Sequence, residues 1–414
     1  MTIPVLKRQS KTDGHLDTST RASHLRLLTT PEEIEGVRAF WERHQTFIYA
    51  DIDFYLYELA TCPNVLRPYV LLLSNNNRPT CLLVARITQP DLDWRLGYLQ
   101  VSPSHARSVE VLPHGLLGEP SEADLLAIAE KLLEPLQTEK VDFVFLKLAE
   151  TETRLAQAIR SVGPGVGQDA TTTEEVPHWT LQLAGTFEDF VKSRRKRARN
   201  NIRKIFERIE SGQAGNVSVS CYRLPSDVPR AASEADSIAA KTYQRGIGVG
   251  LSNTPALRSA WQYEAKKGWL RVYVLYLNGE PIAFEQGLVY KNAYLGVFSS
   301  YDPTYHYYRP GHYLFLRILK SLYSEGDIRI YDFGSGAAAY KEQFGSHCIG
   351  EYELYQFAPT LRGRCLKWIK TFASSFNQKG KQISARLKAL DAIKGYWRRK
   401  VAGASVPRSG KLDN

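Results

Sequence analysis

The sequence has few cysteines, and none of them lies close to another. Five cysteines are scattered singly along the 414 residues: Cys62, Cys81, Cys221, Cys348 and Cys365. There is no CxxC pair and no spacing typical of metal ligands, so the sequence predicts neither a disulfide framework nor a metal site. An odd and dispersed set is typical of proteins that keep free, buried thiols in a reducing compartment.

Long apolar runs are also missing. The first 23 residues contain no apolar segment of the kind found in signal peptides. No other stretch approaches the ~20 consecutive apolar residues that a membrane-spanning helix needs. Hydrophobic residues nevertheless make up 43% of the chain and charged residues 23%, which indicates a packed protein of two or three domains. We therefore expect a cytoplasmic protein whose only membrane contact is peripheral.

The net charge of +11 is unevenly distributed. Residues 361–414 contain 14 Lys and Arg but 2 Asp and Glu, so the rest of the chain is close to neutral. A folded body without an excess of basic residues does not have the composition of a nucleic-acid-binding domain. In the tail, a narrow apolar stripe that includes Trp397 runs between the basic residues, which is typical of a helix on a membrane surface or an acidic partner. We expect residues 375–401 to bind an anionic membrane surface; a solubilising, partly disordered tail is the alternative.

The pattern of strands and helices repeats once. Each half contains a hairpin, at residues 69–87 and 271–290, whose turn is followed by a proline. Asn278-Gly279 is a strong hairpin turn because both residues tolerate positive φ, and Asn75–Asn77 can serve in the same way. After each hairpin the sequence predicts a strand, a helix and a strand: 94–101, 121–136 and 141–148 in the first copy, and 293–300, 311–325 and 328–333 in the second. The sequence thus predicts the α/β (α+β) class, with one unit used twice and a joint near residues 163–185.

Between the two copies lies a strongly basic segment. Residues 187–211 are predicted to form one helix that Thr186 can cap and Gly212 can end. Nine residues of the segment are basic: Lys192, Arg194, Arg195, Lys196, Arg197, Arg199, Arg203, Lys204 and Arg208. The helix is either a solvated element with one buried edge or a basic rim for an anionic substrate or carrier.

Two further stretches contain residues suited to binding or catalysis. Arg309-Pro310-Gly311 opens a helix, where free N–H groups and the helix dipole favour an anion such as pyrophosphate; a plain helix start is the alternative. The stretch YDFGSGAAAYKEQFG at 331–345 has neither the Walker A pattern nor the third glycine of the Rossmann fingerprint. It does place Asp332, Tyr340 and Lys341 within ten residues, which offers a general base, a proton donor and a cation.

In this order, the basic segment, NGEPIAFEQGLVY (278–290), YYRPGHYLF (307–315) and YDFGSGAAAYKEQFG resemble the CelD-type acetyltransferase-like family. That family is a branch of the GNAT superfamily and is related to the Fem-type aminoacyltransferases. The resemblance covers roughly residues 184–345 and implies acyl transfer to an amine or hydroxyl, with acyl-CoA as the donor. It also implies that the donor's pyrophosphate lies at a loop matched here by Arg309, Gly311, His312 and Tyr313. The loop departs from the family pattern, because Arg309 precedes Gly311 by only two residues and Tyr313 stands where a small residue is usual.

Acyl transfer needs a base that accepts the proton of the amine and an acid that protonates the leaving thiolate. Asp332 is the first candidate for the base, and Glu285, inside a strand of the second hairpin, is the second; desolvation can raise the pKa of either. Tyr340 is the candidate proton donor, and Lys341 can neutralise an oxyanion or bind phosphate. Three of them also have a structural interpretation: Asp332 as a turn cap, Glu285 on a solvent-facing strand edge and Tyr340 as a packing residue.

Together these features predict tandem GNAT-like lobes, each a mixed, mostly antiparallel sheet flanked by helices. We expect a disordered arm at 1–22, a degenerate N-terminal lobe at 23–180, an acyltransferase lobe at 184–358 and the basic amphipathic tail at 361–414. The predicted activity is acyl transfer from acyl-CoA to an amine or hydroxyl of a cell-envelope, polysaccharide or lipid-linked precursor, without a tightly bound cofactor or metal. Two alternatives remain open: a Fem-like transferase whose donor is aminoacyl-tRNA, bound by the basic helix, and a non-catalytic partner of a polysaccharide synthase.

Overall fold

The computed structural model describes most of the chain between residues 24 and 386. The described ranges are 24–90, 94–96, 99–101, 105–150, 153–162, 170–211, 215–242, 245 and 250–386. The predicted disordered arm at 1–22 and Gly212 lie outside them. So does the predicted membrane-binding segment at 375–401, apart from the backbone of residues 375–386.

The first half of the chain supplies nine strands and six helices to the described structure. The strands are β1 (His24–Leu28), β2 (Val65–Asn75), β3 (Arg78–Thr88), β4 (Trp94–Leu96), β5 (Leu99–Val101), β6 (Ser108–Gly118), β7 (Phe143–Glu150), β8 (Ala170–Thr172) and β9 (Val176–Gln182). The helices are α1 (Pro31–Glu35), α2 (Arg38–His44), α3 (Ile52–Thr61), α4 (Glu122–Leu133), α5 (Pro135–Thr138) and α6 (Arg154–Ser161), with a 3-10 turn at Ile48–Ala50.

The second half has more helix around its strands in the described ranges. The strands are β10 (Val217–Tyr222), β11 (Leu270–Leu277), β12 (Glu280–Tyr290), β13 (Ala293–Tyr301), β14 (Ile330–Ser335) and β15 (His347–Phe357). The helices are α7 (Phe187–Ser193), α8 (Lys196–Glu210), α9 (Val228–Ala239), α10 (Pro255–Lys266), α11 (Pro310–Glu325), α12 (Ala339–Phe344) and α13 (Leu361–Arg386), with 3-10 turns at Pro225–Asp227 and Pro303–Tyr308.

A single 13-stranded sheet runs through the molecule, and its two ends are built alike. Its order is β1-β2-β3-β6-β7-β15-β9-β14-β13-β12-β11-β10, with β8 on β15. In each half an antiparallel hairpin (β2-β3 and β11-β12) is followed by a parallel pair (β6-β7 and β13-β14) joined through a crossover helix. The pairing confirms the α/β (α+β) class and the predicted duplication of one unit.

The two halves exchange their last strands. β9 follows the first half in sequence but pairs with β14 of the second half, whereas β15 follows the second half but pairs with β7 of the first. At the centre of the sheet, β9 and β15 pair with each other. We call β1–β3, β6, β7 and β15 with their helices the first lobe, and β9–β14 with theirs the second lobe. The boundaries predicted from chain order, 23–180 and 184–358, do not include this exchange.

Local sequence signals explain where these elements begin and turn. Asn278 (φ 53°) and Gly279 (φ 84°) make the β11-β12 turn, and Asn76 and Asn77 make the β2-β3 turn with φ of 53° and 59°. Helix α7 begins with a capping box between Thr186 and Asp189. The backbone N–H of Asp189 donates to the Thr186 hydroxyl, and the backbone N–H of Thr186 donates to the Asp189 carboxylate.

The second lobe buries apolar residues on both faces of its sheet. One face packs against α7, α8, α11 and α12, through residues such as Ile202 and Phe315. The other face packs against α9 and α10, through residues such as Ile238 and Trp261. Because successive strand residues point to opposite faces, most of the buried side chains of β11–β14 face one of these two helical layers.

Two local predictions are corrected. The basic helix predicted at 187–211 is broken at Arg194, whose extended backbone separates α7 from α8. The strand predicted at 94–101 forms a separate two-stranded sheet, β4-β5, and the sheet position next to β3 belongs to β6. We missed β6 because Pro113 and its neighbours interrupt the strand pattern in the sequence.

Cysteine burial and membrane-spanning potential were also expectations of the sequence. All five cysteines are free, but only Cys81 is buried, and Cys348 and Cys365 are exposed. The prediction of buried thiols is therefore right for Cys81 and wrong for those two. Within the described ranges, no helix combines the length and the apolar character that crossing a bilayer requires.

Candidate active site

The candidate site lies where β13 and β14 separate. These parallel strands pair only over Ala293–Leu295 and Ile330–Asp332, although both strands continue beyond. Gly334, with φ of 67°, turns β14 just past the paired segment. From Gly296 onward, the edge of β13 that faces β14 has no strand partner among the described residues. Amide hydrogens on such an edge can polarise a carbonyl group as an oxyanion hole does.

Glu285 of β12 reaches this separation. Its Oε1 accepts hydrogen bonds from the hydroxyls of Tyr294, at 3.0 Å, and Tyr331, at 2.5 Å. A methyl group on Gly296 would lie 3.5 Å from Oε1, so the glycine leaves the carboxylate next to the β13 backbone. Burial raises the pKa of Glu285 to about 7, although the two tyrosine hydrogen bonds lower it. A buried carboxylate that is partly ionised at neutral pH is suited to act as a general base.

Tyr340 of α12 lies on the same side of the sheet as Glu285. Its ring packs edge-on against Phe315 and Phe333, with centroid distances of 6.1 and 5.9 Å. Its hydroxyl makes no hydrogen bond to any described residue. Burial raises the pKa of Tyr340 to about 12, and the negative charge of Glu285 acts in the same direction. The side chain is therefore a neutral phenol at physiological pH, and its hydroxyl is available as a proton donor.

A pocket of about 930 Å³ with a basic lining opens beside α8 and α11. Its lining includes no acidic residue from the described part of the chain, and five of its lining residues are cations: Arg195, Lys196, Arg197, Lys204 and Arg309. The start of α8 carries no side-chain cap, so its free N–H groups add to the positive potential of the pocket. The nine basic residues in the sequence therefore do not all form a solvated face, because four of them line a concave surface.

Arg309 joins the two helices of the pocket. Its backbone lies in the left-handed region, with φ of 53°, at the residue before α11, and its Nη1 donates to Asn201 Oδ1 of α8 at 2.8 Å. Helix α11 then begins at Pro310 without a side-chain cap and without an acidic residue in its first turn. An uncapped start of a long helix next to an arginine is a favourable place for an anion.

The other three residues predicted to contact the donor differ in position. Gly311 and His312 are half-buried at the start of α11. Burial lowers the pKa of His312, and the nearby charge of Arg309 lowers it further, so this imidazole is neutral at physiological pH. Tyr313 is fully buried, and its hydroxyl donates to Glu210 Oε1 at 2.8 Å. The prediction that Tyr313 contacts a cofactor is corrected, because a core residue has no surface left for one.

The pocket and Glu285 are neighbours. Gln343 lines the pocket and lies one helical turn from Tyr340 on α12, so one short helix borders both places. Glu285 is paired with Ser299 of β13. Tyr301 follows Ser299 by two residues on the same strand, a distance of about 7 Å at the usual strand rise, and its ring packs against Gly311. A donor whose phosphates lie in the pocket can therefore extend its acyl group into the β13-β14 separation.

Asp332 is part of a buried ion-pair network. Its Oδ1 accepts from His178 Nε2 at 2.6 Å and from the backbone N–H of Gly334 at 2.7 Å, and the other ring nitrogen, Nδ1, binds Glu351 Oε1 at 2.7 Å. Burial lowers the pKa of His178, but the hydrogen bonds and charges of Asp332 and Glu351 outweigh burial and raise it to about 10. The protonated ring therefore donates to both carboxylates and joins β9, β14 and β15 at the strand exchange.

This network corrects the role predicted for Asp332. A carboxylate that already accepts hydrogen bonds from a cation and a backbone amide is poorly placed to take a proton from a substrate. Its bond to Gly334 is the turn cap that the sequence offered as the alternative. Glu285, the second candidate, is neither paired with a cation nor on a solvent-facing edge, which makes it the better candidate for the base.

Lys341 also has structural partners. Its Nζ donates to the backbone oxygens of Gly334 at 2.9 Å and Ser335 at 3.0 Å. Burial lowers the pKa of Lys341, against the nearby charges of Asp332 and Glu351, which raise it. The lysine closes the loop after β14, and two of its three N–H donors bind the chain itself. That it neutralises an oxyanion or binds phosphate stays a prediction.

Sequence reasoning missed two residues of this site. His178 and Glu351 lie on the exchanged strands β9 and β15, 154 and 173 residues from the partners they bind. No local pattern marks either residue, because a single histidine or glutamate within a strand has the same appearance whether it is buried or exposed. Only the pairing of β9 with β14 and β15 brings them together.

The family comparison agrees with this geometry. Residues 192–342 match the family model described as an acetyltransferase (GNAT) domain. The matched range includes the basic lining of α8, Glu285, Arg309 and Tyr340. The predicted resemblance to the GNAT superfamily is confirmed. No curated protein sequence matches the chain.

Solved structures extend the similarity to both lobes. The structure of FemX superposes with a TM-score of 0.56 at 9% identity, over 83% of this chain and 100% of FemX. The C-terminal domain of a putative lysylphosphatidylglycerol synthetase from Agrobacterium fabrum gives 0.48 at 14% identity, over 81% of this chain and 95% of that domain. A tandem GNAT protein from the clavulanic acid biosynthesis pathway gives 0.47 at 11% identity, over 80% and 98%. At such identities the FemX match shows the fold and nothing finer.

These findings define the class of the protein. Residues 192–342 match the model of a GNAT-type acetyltransferase domain. The strand pairing confirms the predicted mixed α/β fold with one unit used twice. The matched domain supports the expected acyltransferase activity.

Proposed function

We propose that the second lobe transfers an acyl group from acyl-CoA to an amine, with Glu285 as the general base and Tyr340 as the general acid. The observation that carries the proposal is the buried carboxylate of Glu285, with a pKa of about 7, at the place where β13 and β14 separate. The pocket at α8 and α11 is the donor's phosphate site, because it combines five cations with two uncapped helix starts.

The reaction uses each group once. The amine nitrogen attacks the thioester carbonyl carbon, a C–N bond forms, and the carbonyl electrons move to oxygen, which faces the free amide edge of β13. The C–S bond then breaks and sulfur leaves with the electron pair. Glu285 takes the proton of the amine, and Tyr340 gives its hydroxyl proton to the sulfur. The proton on Glu285 returns to Tyr340 through solvent, which restores both side chains.

The acceptor is an amine or hydroxyl of a cell-envelope, polysaccharide or lipid-linked precursor. Support for this acceptor class comes from the CelD-type resemblance alone. A place in the cytoplasm, at the inner face of the membrane, is supported by the dispersed single cysteines and by the excess of basic residues in 361–414.

Turnover with a matched pair of variants tests the proposal. Release of free thiol from acetyl-CoA is measured against a panel of amines and amino sugars. Glu285→Gln keeps the size of the side chain and removes its basicity, so kcat is expected to fall about 10²–10⁴-fold. Glu280→Gln changes an exposed carboxylate on the same strand and is expected to leave kcat unchanged. A fully active Glu285→Gln variant contradicts the proposed base.

One observation favours a second donor. Four of the five pocket cations lie on α8 or at the residue before it, which provides a longer basic surface than one pyrophosphate needs. The alternative donor is therefore an aminoacyl-tRNA, whose backbone would follow α8. Titration with acetyl-CoA and with aminoacyl-tRNA separates the two, since RNA binding weakens steeply with salt. Binding of neither donor would support the non-catalytic partner of a polysaccharide synthase instead.

A further inference from the structure

Helix α13 has two apolar faces, and only one of them is covered by the protein. The inner face packs Leu366 and Ile369 against Trp94 and Phe357 of the first lobe. The outer face carries Leu361, Cys365, Trp368 and Phe372, at a spacing of i, i+4, i+7 and i+11 that aligns them along one side of a helix. Leu361 is 82% exposed and Trp368 is 72% exposed. They are the most exposed large apolar side chains of the described residues.

The helix is held firmly to the body, so this outer face is oriented. Arg362 Nε donates to Asp142 Oδ1 at 2.8 Å, and Lys370 Nζ lies 4.4 Å from the ring centre of Tyr355. At Gly363 the helix approaches the body so closely that a methyl group would lie 2.2 Å from the backbone oxygen of Ala358. The outer face therefore points away from the first lobe.

The charge around the face indicates its partner. Residues 361–386 contain seven Lys and Arg and no Asp or Glu, and Arg364 is exposed beside the apolar stripe. A tryptophan and a leucine among basic residues, on a helix lying along a surface, match the interface of an anionic bilayer, where aromatic rings sit at headgroup depth. An acidic protein would be attracted by the charges but would not need the exposed tryptophan.

We propose that the outer face of α13, at Leu361, Cys365, Trp368 and Phe372, docks the protein on an anionic membrane surface. Apolar side chains enter the headgroup boundary, and Arg364 beside them binds a lipid phosphate. This face lies N-terminal to the segment expected from the sequence, 375–401. The inference stands on the exposure and charge of α13 and is independent of the proposed catalytic activity.

Co-sedimentation of the full chain with vesicles tests the proposal. Wild type is expected to pellet with phosphatidylcholine vesicles containing phosphatidylglycerol, and to remain in solution with phosphatidylcholine alone. Leu361→Ser with Trp368→Ser is expected to weaken partitioning at least about tenfold, since both apolar side chains lose their burial in the bilayer. Arg364→Gln is expected to weaken it about fivefold, the effect of one basic residue near anionic lipid. Leu224→Ser, at an exposed leucine of the second lobe, is the matched control and is expected to bind as wild type.

The same experiment can overturn the proposal in three ways. Wild type that does not pellet with anionic vesicles contradicts it, and so does a double variant that pellets as well as wild type. Sedimentation equilibrium adds the third: a dimer of the wild type that the double variant abolishes, without vesicle binding, would assign this face to a second copy of the chain. Circular dichroism melting of each variant confirms that it is folded before its binding is compared.

Discussion

The hairpins of the two lobes have the same backbone and differ at one decisive position. Both turn at asparagine and place a proline two residues after the turn, and both show a register shift at the equivalent place, between Leu73 and Ser74 in one and between Leu275 and Tyr276 in the other. Four residues beyond the proline, the first lobe has Leu83 and the second has Glu285. Leu83 is fully buried in an apolar core, so the first lobe has no base at this position.

The crossover helices of the two lobes, α4 and α11, differ in whether their N-terminal ends favour an anion. Helix α4 of the first lobe begins at a capping box, with Ser121 and Asp124 bound to each other and Glu122 beside them. The N–H groups of Ser121 and Asp124 are satisfied within the box and the first turn is negative, so this helix start does not favour an anion. Helix α11 of the second lobe has neither cap nor acid, and Arg309 precedes it. The comparison shows that the same architecture can provide either a structural support or a candidate active site, and that a few side chains decide which of the two it is.

The largest expected effect of the difference between Glu285 and Leu83 is the pH dependence of turnover. Because Glu285 must be ionised to accept a proton and burial raises its pKa to about 7, kcat/KM should rise about tenfold per pH unit below pH 7 and then level off. An acceptor that does not titrate in this range, such as a hydroxyl, isolates the effect. The residual activity of Glu285→Gln should show no such rise. A wild-type profile that is flat from pH 5 to pH 8 would assign the base elsewhere.

The junction between the lobes should be the next most sensitive place. His178→Ala removes the cation shared by Asp332 and Glu351 and is expected to cost about 3–5 kcal/mol of unfolding free energy at pH 7. His347→Ala, at an exposed position of β15, is the control in urea unfolding. Loss of less than about 1 kcal/mol in His178→Ala would contradict the ion-pair network.

The same network predicts how wild-type stability varies with pH. The pKa of His178 is raised from 6.5 in the unfolded chain to about 10, so its contribution is fully present below pH 6.5 and is lost as the pH rises through 10. Wild type should therefore lose stability over this range to a greater extent than His178→Ala. Parallel pH curves for the two proteins would exclude a charged histidine at this junction.

A smaller effect is expected at the helix starts. Arg309→Asn keeps a residue that tolerates the left-handed backbone and removes the cation, so the KM for acetyl-CoA should rise about tenfold with kcat unchanged. Arg154→Ala is the matched change in the first lobe, because Arg154 binds Glu122 at the start of α4, and it should leave KM unaltered. An equal KM for Arg309→Asn and wild type would remove the pocket from the donor site.

The smallest effect is expected at the cap of α4. Ser121→Ala removes the capping hydrogen bond and should lower the free energy of unfolding by about 1 kcal/mol. Turnover should not change, since both proposed catalytic residues, Glu285 and Tyr340, lie in the second lobe. A loss of activity in a stably folded Ser121→Ala protein would show that the first lobe takes part in catalysis.

Much of this architecture could be predicted from the chain in isolation, because the signals are local. The turn at Asn278-Gly279, the cap at Thr186 and the apolar stripe of α11 each depend on neighbours within a few residues. From these local signals the repeat could be predicted, and the order of the motifs along the chain indicated the family resemblance. The prediction was poorer where the pattern was interrupted, as in β6, whose strand contains Pro113.

The site was predicted in its parts but not in its roles. The second-choice base, Glu285, became the better candidate because tyrosines from β13 and β14 enclose it, and Asp332 became a pairing residue because His178 arrives from β9. A carboxylate's pKa depends on burial and on charges a few ångströms away, which are supplied by distant parts of the chain.

The amino-acid sequence alone determined the duplicated unit, the positions of the turns and most helices, and the acyltransferase class, since these follow from short-range propensities and from motifs in a fixed order. Only the tertiary structure decided which strands each lobe exchanges, which carboxylate is left without a cation and which face of α13 stays bare. Each of those outcomes is a contact between residues far apart in the chain, and such contacts exist only once the sheet has closed around them.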